Sequence, residues 1–256
     1  MQLETALGVK LFDRDKHKFA LTPSGQFLVE RAREILNMVE KTTLDIQEQE
    51  HNLAGSIAMG AGEYQATEVL AKLIGGFQKQ YAAVSFELFT SSADLLQDKL
   101  DKGLLDVAIL QAPVDTTNYD YLRLPIRETW CVLMRSDAPL ASKNAITASD
   151  LSGLPIILPA RLQARSEIFN WLSGDITKMR FIGNSNLLAN TAVFVQQCGY
   201  YGISVQMPLL DEKRFTYRPL TPALHSDILL VWRRDRQQSL ALQKFLQFAK
   251  CFLSIE

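Results

Sequence analysis

Apolar and polar positions along the chain fall into two regimes that meet near Asn52. In the first, Leu3 and Leu7 stand four apart on one helical face, and Gly8 follows where a left-handed C-terminal cap belongs. Two short apolar runs, VKLF and KFAL, then flank the charged stretch DRDKHK, which predicts a β-hairpin with a basic tip over residues 10–21. Thr22 and Pro23 supply an N-cap and a first-turn proline, and a helical pattern continues from there to residue 51. At about 1.5 Å per residue this helix would be roughly 43 Å long. Leu28, Ala32, Ile35, Val39, Thr42, Ile46 and Gln49 recur at alternating spacings of four and three, with charged residues off the seam. Heptad spacing of this kind wants a partner helix, and Leu28, Ala32, Ile35 and Val39 form its tighter half.

In the second regime, short apolar runs alternate with helical spacing. SIAMG, VSFELFT, DVAIL, TWCVLM, LPIILP, MRFIG, YGISV and DILLVW read as strands, and Ala66, Leu70, Leu73, Phe77 and Tyr81 mark the face of an intervening helix. This is an α/β alternation, and strands apolar on both faces belong in the middle of parallel or mixed sheets. Two proline-rich breaks interrupt it, one over 113–125 and one at Pro219, Thr221 and Pro222. They predict two α/β lobes joined by two crossings, with the last strand and helix returning to the first lobe and a cleft between. The expected divisions are 1–22, 23–51 and 52–256, the last comprising subdomain I (52–113 with 221–256) and subdomain II (114–220).

Composition narrows the partners. The chain has 256 residues, 27 basic and 28 acidic, for a net charge of −1, so any nucleic-acid contact has to be local rather than a property of the whole surface. Cys131, Cys198 and Cys251 are widely spaced, as buried hydrophobes of a reducing compartment would be. The amphipathic start is not a signal peptide, and no apolar run reaches membrane-spanning length, so a cytoplasmic location and no membrane partner are expected.

Specific motifs add a family. Gly8-Val9-Lys10-Leu11-Phe12, then Arg14, then Phe19-Ala20-Leu21-Thr22-Pro23-Ser24-Gly25 resemble, in order and spacing, the LysR-type transcriptional regulators from the end of the recognition helix through the wing into the linker helix. GSIAMGAG, GLLDVAIL, APLASKNAITASDLSGLPIILP, CGYYGISVQMPLL and ILLVWRRDRQQSLALQKFLQFA continue the resemblance along nearly the whole chain. It implies an α/β, periplasmic-binding-protein-like effector domain of two subdomains, preceded here by a wing remnant and a long linker helix. A small-molecule effector in the cleft, DNA as partner of the full-length family and a homo-oligomer (dimer or tetramer) are likewise implied.

Measured against the family, most of the winged helix-turn-helix has no counterpart before Gly8. Gln2 is then the one surviving base-contact candidate, while Arg14, Lys16 and Lys18 on the wing would meet phosphates, which position a protein without specifying sequence. The expectation is a truncated regulator that has lost specific DNA binding, with Leu3, Leu7, Leu11 and Phe12 left uncovered. The alternative is a ligand-binding, dimerising module without DNA-binding activity, either a remnant or a modulator of full-length partners.

For the ligand, the α/β rule selects loops at the carboxyl ends of strands, where helix N-termini present unpaired N–H groups. Loops 60–65, 90–92, 111–113, 159–163 and 183–186 meet it. The candidate effector-binding residues are Gly62, Glu63, Tyr64, Thr90, Ser91, Ser92, Gln111, Pro159, Arg161, Asn184 and Ser185. Arg161 and Arg165 offer guanidinium groups for a carboxylate. Glu63 argues the other way, since it puts negative charge at a helix start and favours an aromatic, polar-neutral or cationic effector. No enzyme is expected. Gly60-Ala61-Gly62 lacks the third glycine of a dinucleotide fingerprint, His17, His51 and His225 have no metal-ligand spacing, and no nucleophile–base set stands out. No cofactor or metal is implied.

Overall fold

The computed structural model describes residues 2–13, 20–47 and 53–254. The chain divides into two compact units, 1–52 and 53–256.

In the first unit, α1 (Gln2–Leu7) precedes an antiparallel pair, β1 (Phe12–Asp13) and β2 (Ala20–Leu21), and then α2 (Pro23–Gln47). Phe12 pairs with Leu21 and Asp13 with Ala20, so the hairpin register is set, while its tip, with Arg14, Lys16 and Lys18, lies outside the described residues. The Thr22-Pro23-Ser24-Gly25 run has a local explanation. The Gly25 N–H donates to the Thr22 hydroxyl at 3.0 Å, an N-cap with proline at the first helical position. A Cβ on Gly25 would collide with the Leu11 carbonyl, so only glycine lets α2 start this close to the preceding chain. Leu11 is buried rather than left uncovered, whereas Leu3, Leu7 and Phe12 are exposed. Along α2, Leu28 and Ala32 are half-buried, and Ile35 and Val39 are exposed. Gln49 lies outside the described residues.

The second unit runs β3 (Gly55–Ala61), α3 (Thr67–Gln78), β4 (Val84–Thr90), α4 (Ala93–Lys102), β5 (Val107–Gln111), β6 (Tyr119–Thr129), β7 (Cys131–Arg135), β8 (Pro155–Pro159), α5 (Leu162–Leu172), β9 (Arg180–Ser185), α6 (Leu188–Cys198), β10 (Tyr201–Ser204), β11 (Phe215–Pro219), β12 (His225–Arg233) and α7 (Leu240–Leu253). Two five-stranded sheets result, β4-β3-β5-β12-β6 in lobe I and β11-β7-β10-β8-β9 in lobe II. In each, three neighbouring parallel strands are completed by antiparallel ones.

The central strands of lobe I are apolar on both faces because both are covered. Ile57, Met59, Val107, Ile109, Ile228 and Leu230 face α3 and α7. Ala58, Ala108, Leu110, Leu229 and Val231 alternate with them and face α4. Lobe II repeats the arrangement, with α5 on one face and α6 on the other. Each fully buried Leu, Ile, Val or Phe contributes about 1.5–3 kcal/mol relative to exposure.

The crossings differ from the sequence expectation at one end. The chain does not leave lobe I at residue 114, because β6 pairs with β12 along most of its length. It leaves at Trp130 and returns through 220–224. The stretch 113–125 looked like a linker because of Pro113 and Pro125. In fact β6 is an edge strand, and Pro125 falls where its register with β12 shifts, so no ladder N–H is lost there. Trp130 joins the two crossings: its N–H donates to the Leu224 carbonyl at 2.9 Å, and its carbonyl accepts from the Leu220 N–H at 3.0 Å. Among the described residues no helix is long and apolar enough to cross a membrane.

Candidate ligand cleft

The parallel strands of both lobes point their carboxyl ends at the seam between the lobes, and the following loops line a cavity of about 90 Å³ there. The β3–α3 connection brings Gly62, Glu63 and Tyr64, the β4–α4 connection Ser91 and Ser92, and β5 ends on Gln111. From lobe II come Pro159 at the end of β8, Arg161 between β8 and α5, and Ser185 at the end of β9. Thr90 and Asn184 are exposed and do not line the cavity, and Arg165 is not part of the wall either. The wall also holds residues not singled out in the sequence, among them Trp130, Asn186, Thr191 and Ser204. Trp130 lines the cleft, its indole N–H donating to Ser226 Oγ at 2.9 Å. Gly62 is needed beside Tyr64, because a Cβ there would overlap the phenol ring.

Charges in the cleft are largely used by the protein itself. Arg161 reaches from lobe II to lobe I, where Nη1 donates to the Gln111 carbonyl at 2.6 Å, Nη2 to the Pro113 carbonyl and Nε to Asp94 Oδ1 at 3.1 Å. Its side chain is only 10% exposed, so these bonds are shielded from bulk water. In the other direction, Glu63 Oε2 of lobe I accepts the Ala189 N–H at 2.9 Å, in the first turn of α6 in lobe II. Glu63 therefore does not sit at the start of its own following helix. That position belongs to Glu128, whose Oε1 accepts the Ala66 N–H at 2.8 Å.

Glu128 is 0% exposed, and its Oε2 has no partner among the described residues. Burial holds its carboxyl above the ordinary 4.5, opposed by hydrogen bonds from the Ala66 and Gln65 amides. Tyr64 nearby is pushed up to about 12, mainly by burial, with Arg161 opposing and Glu128 and Asp94 adding. A carboxyl with a raised folded-state pKa binds its proton more tightly folded than unfolded, so its contribution to stability declines as pH rises above about 4.5 through the folded value. Glu128→Gln keeps the oxygen that accepts from Ala66 and removes the titration. The melting temperature of this variant relative to wild type is expected to rise between pH 4 and pH 8, and a difference that does not change with pH would refute the assignment.

A second buried polar atom is idle, and this one is a donor. Gln111 is 7% exposed, and its Nε2 lacks a partner among the described residues although it lines the cavity. A buried donor left unmade costs about 1–3 kcal/mol, which a bound acceptor would restore. Redox chemistry gains no support from the cysteines: all three are free, and burial raises the Cys131 thiol to about 11. Among the described residues no group of His, Cys, Asp and Glu is placed to hold a metal ion.

Two α/β lobes, each built on a five-stranded mixed sheet and meeting at the carboxyl ends of their strands, define an effector-binding domain of the periplasmic-binding-protein type. The chain belongs to the LysR family of transcriptional regulators: the family model described as LysR substrate binding domain matches residues 50–253. Among curated relatives, the uncharacterized HTH-type transcriptional regulator YvbU of Bacillus subtilis is 26% identical over 253 residues, covering 97% of this chain and 85% of the relative. The hca operon transcriptional activator HcaR of Escherichia coli is 25% identical over 251 residues, covering 95% and 83%. Among solved structures, CbnR, a LysR family transcriptional regulator, superimposes with a TM-score of 0.75 at 15% identity, over 98% of this chain and 86% of that one. The effector-binding domain of QuiR in complex with shikimate gives 0.69 at 16% identity, over 80% and 99%. These structural likenesses establish the fold.

Proposed function

We propose that this regulator senses a small molecule held between lobes I and II and works as a cytoplasmic homo-oligomer. The observation that carries the reading is a cavity walled by both lobes whose lining includes Gln111, a residue with a buried, unpartnered Nε2. Oligomerisation is supported by the apolar row on α2, where Ile35 is 62% and Leu36 64% exposed. The effector-binding set is Gly62, Glu63, Tyr64, Ser91, Ser92, Gln111, Pro159, Arg161 and Ser185, to which the cavity wall adds Trp130 and Thr191.

DNA reading is the finer point. Among the described residues, α1 is a helix of six residues. Gln2 with the basic tip residues Arg14, Lys16 and Lys18 supplies few base contacts and mostly phosphate ones. We therefore propose that the 256-residue polypeptide, acting alone, does not select an operator sequence.

One titration with a library of small metabolites tests both parts, read as thermal unfolding and as a band shift on the DNA upstream of the gene. A true effector at a hundred times its Kd is expected to stabilise the protein by about 2.7 kcal/mol. The effect is lost in Gln111→Leu, and no sequence-selective complex forms. Stabilisation that is equal in Gln111→Leu places the ligand elsewhere, and a nanomolar, operator-selective complex overturns the DNA part.

A further inference from the structure

Two helix starts at this cleft, and the guanidinium of Arg161 in its wall, are already engaged by the protein's own groups. Glu63 fills the start of α6 through the Ala189 N–H, and Glu128 fills the start of α3 through the Ala66 N–H. Asp94 stands in the first turn of α4. Every nitrogen of the Arg161 guanidinium is engaged by Gln111, Pro113 or Asp94. An incoming carboxylate or phosphate would meet Glu63, with no uncommitted cation among the described wall residues to offset it. An ammonium would bring donors up to Gln111 Nε2, itself a donor that lacks an acceptor. The unmet need is an acceptor for Gln111 Nε2, and the same wall includes the aromatic residues Trp130 and Tyr64.

On the reading that this cleft holds the effector, we infer that Glu63 is its specificity-determining residue: the cleft takes a small neutral molecule with a carbonyl-type acceptor on an apolar or ring body, and rejects carboxylates and phosphates. The Glu63 carboxylate lies across the cleft where a ligand anion would otherwise bind the amides of α6. A neutral ligand leaves that link between the lobes intact and gives Gln111 Nε2 its missing acceptor. Selectivity therefore comes chiefly from a repulsive element built into the wall.

The test uses two probes of the same shape and different charge, benzamide and benzoate, titrated calorimetrically into the full chain, wild type and Glu63→Gln. The glutamine keeps an oxygen for the Ala189 N–H and removes the charge. Wild type is expected to bind benzamide at least about tenfold more tightly than benzoate, because like charges meeting in a partly desolvated site are strongly disfavoured. In Glu63→Gln that ratio shrinks by about tenfold, through tighter benzoate binding, while benzamide affinity drops in Gln111→Leu. The inference is overturned if wild type binds benzoate as well as benzamide, if benzamide does not bind at all, or if the ratio is unchanged in Glu63→Gln. These outcomes separate from failure of the effector reading itself. Metabolite binding that Gln111→Leu abolishes, combined with charge selectivity indifferent to Glu63, sinks only the inference. Probe selectivity that follows Glu63, with library metabolites stabilising wild type and Gln111→Leu equally, sinks only the effector reading.

Discussion

Phe77→Ala is expected to lower the unfolding free energy by about 3–5 kcal/mol. The ring is fully buried on the face of α3 that covers the lobe I sheet. It meets Tyr81 at 4.7 Å, Phe245 at 5.4 Å, Phe248 at 5.8 Å and Phe86 at 6.1 Å between centroids. These partners come from the turn after α3 (Tyr81), from β4 (Phe86) and from α7 (Phe245 and Phe248), so truncation removes both the transferred surface and the edge-to-face contacts that tie α3 to β4 and α7. The surrounding rings are too stiff to collapse into the space. For a folded unit of this size the melting temperature should fall by roughly 6–20 °C, measured by calorimetry. Phe77→Leu, which retains most of the volume, should recover most of the loss. A truncation costing less than about 1 kcal/mol would show that the cluster closes over the gap.

Arg161→Ala should have the next largest effect, about 2–3 kcal/mol in urea unfolding, because one guanidinium supplies three hydrogen bonds from lobe II to lobe I. The loss should be accompanied by faster amide exchange at the cleft margins, where the two lobes come apart. Arg161→Lys is expected to recover less than half. An ammonium is a point donor and cannot serve Asp94, Gln111 and Pro113 at once, as a planar fork does. Full recovery by lysine would mean that charge, and not fork geometry, holds the lobes together.

Much of the architecture could be read in the chain because burial imposes simple patterns. Strands covered on both faces, such as β3, β5, β8 and β12, are nearly continuous apolar runs. Two strands escaped. β6, YDYLRLPIRET, and β11, FTYRP, carry charged residues and proline because both are edge strands with one side in water. Missing β6 moved the predicted crossing from Trp130 to 114. The loops lining the cleft were legible from the carboxyl-end rule, which depends only on strand direction. What each charged side chain does there was not. Arg161 looked available for a ligand and is spent on lobe I, and Glu63 finds its partner 126 residues away in the chain. Such pairings depend on how the lobes close, and no local pattern encodes that.

Trp130 gives the cleft a mechanical character. Its backbone is bonded to both Leu220 and Leu224, so the outgoing and returning crossings are pinned at one point rather than acting as two independent tethers. Rotations that shear one crossing past the other would break both bonds, whereas a bend about the line through this residue keeps them. A bend of that kind would open and close the lobes like a book on its spine. Because Trp130 also lines the cavity, whatever fills that cavity lies beside the spine.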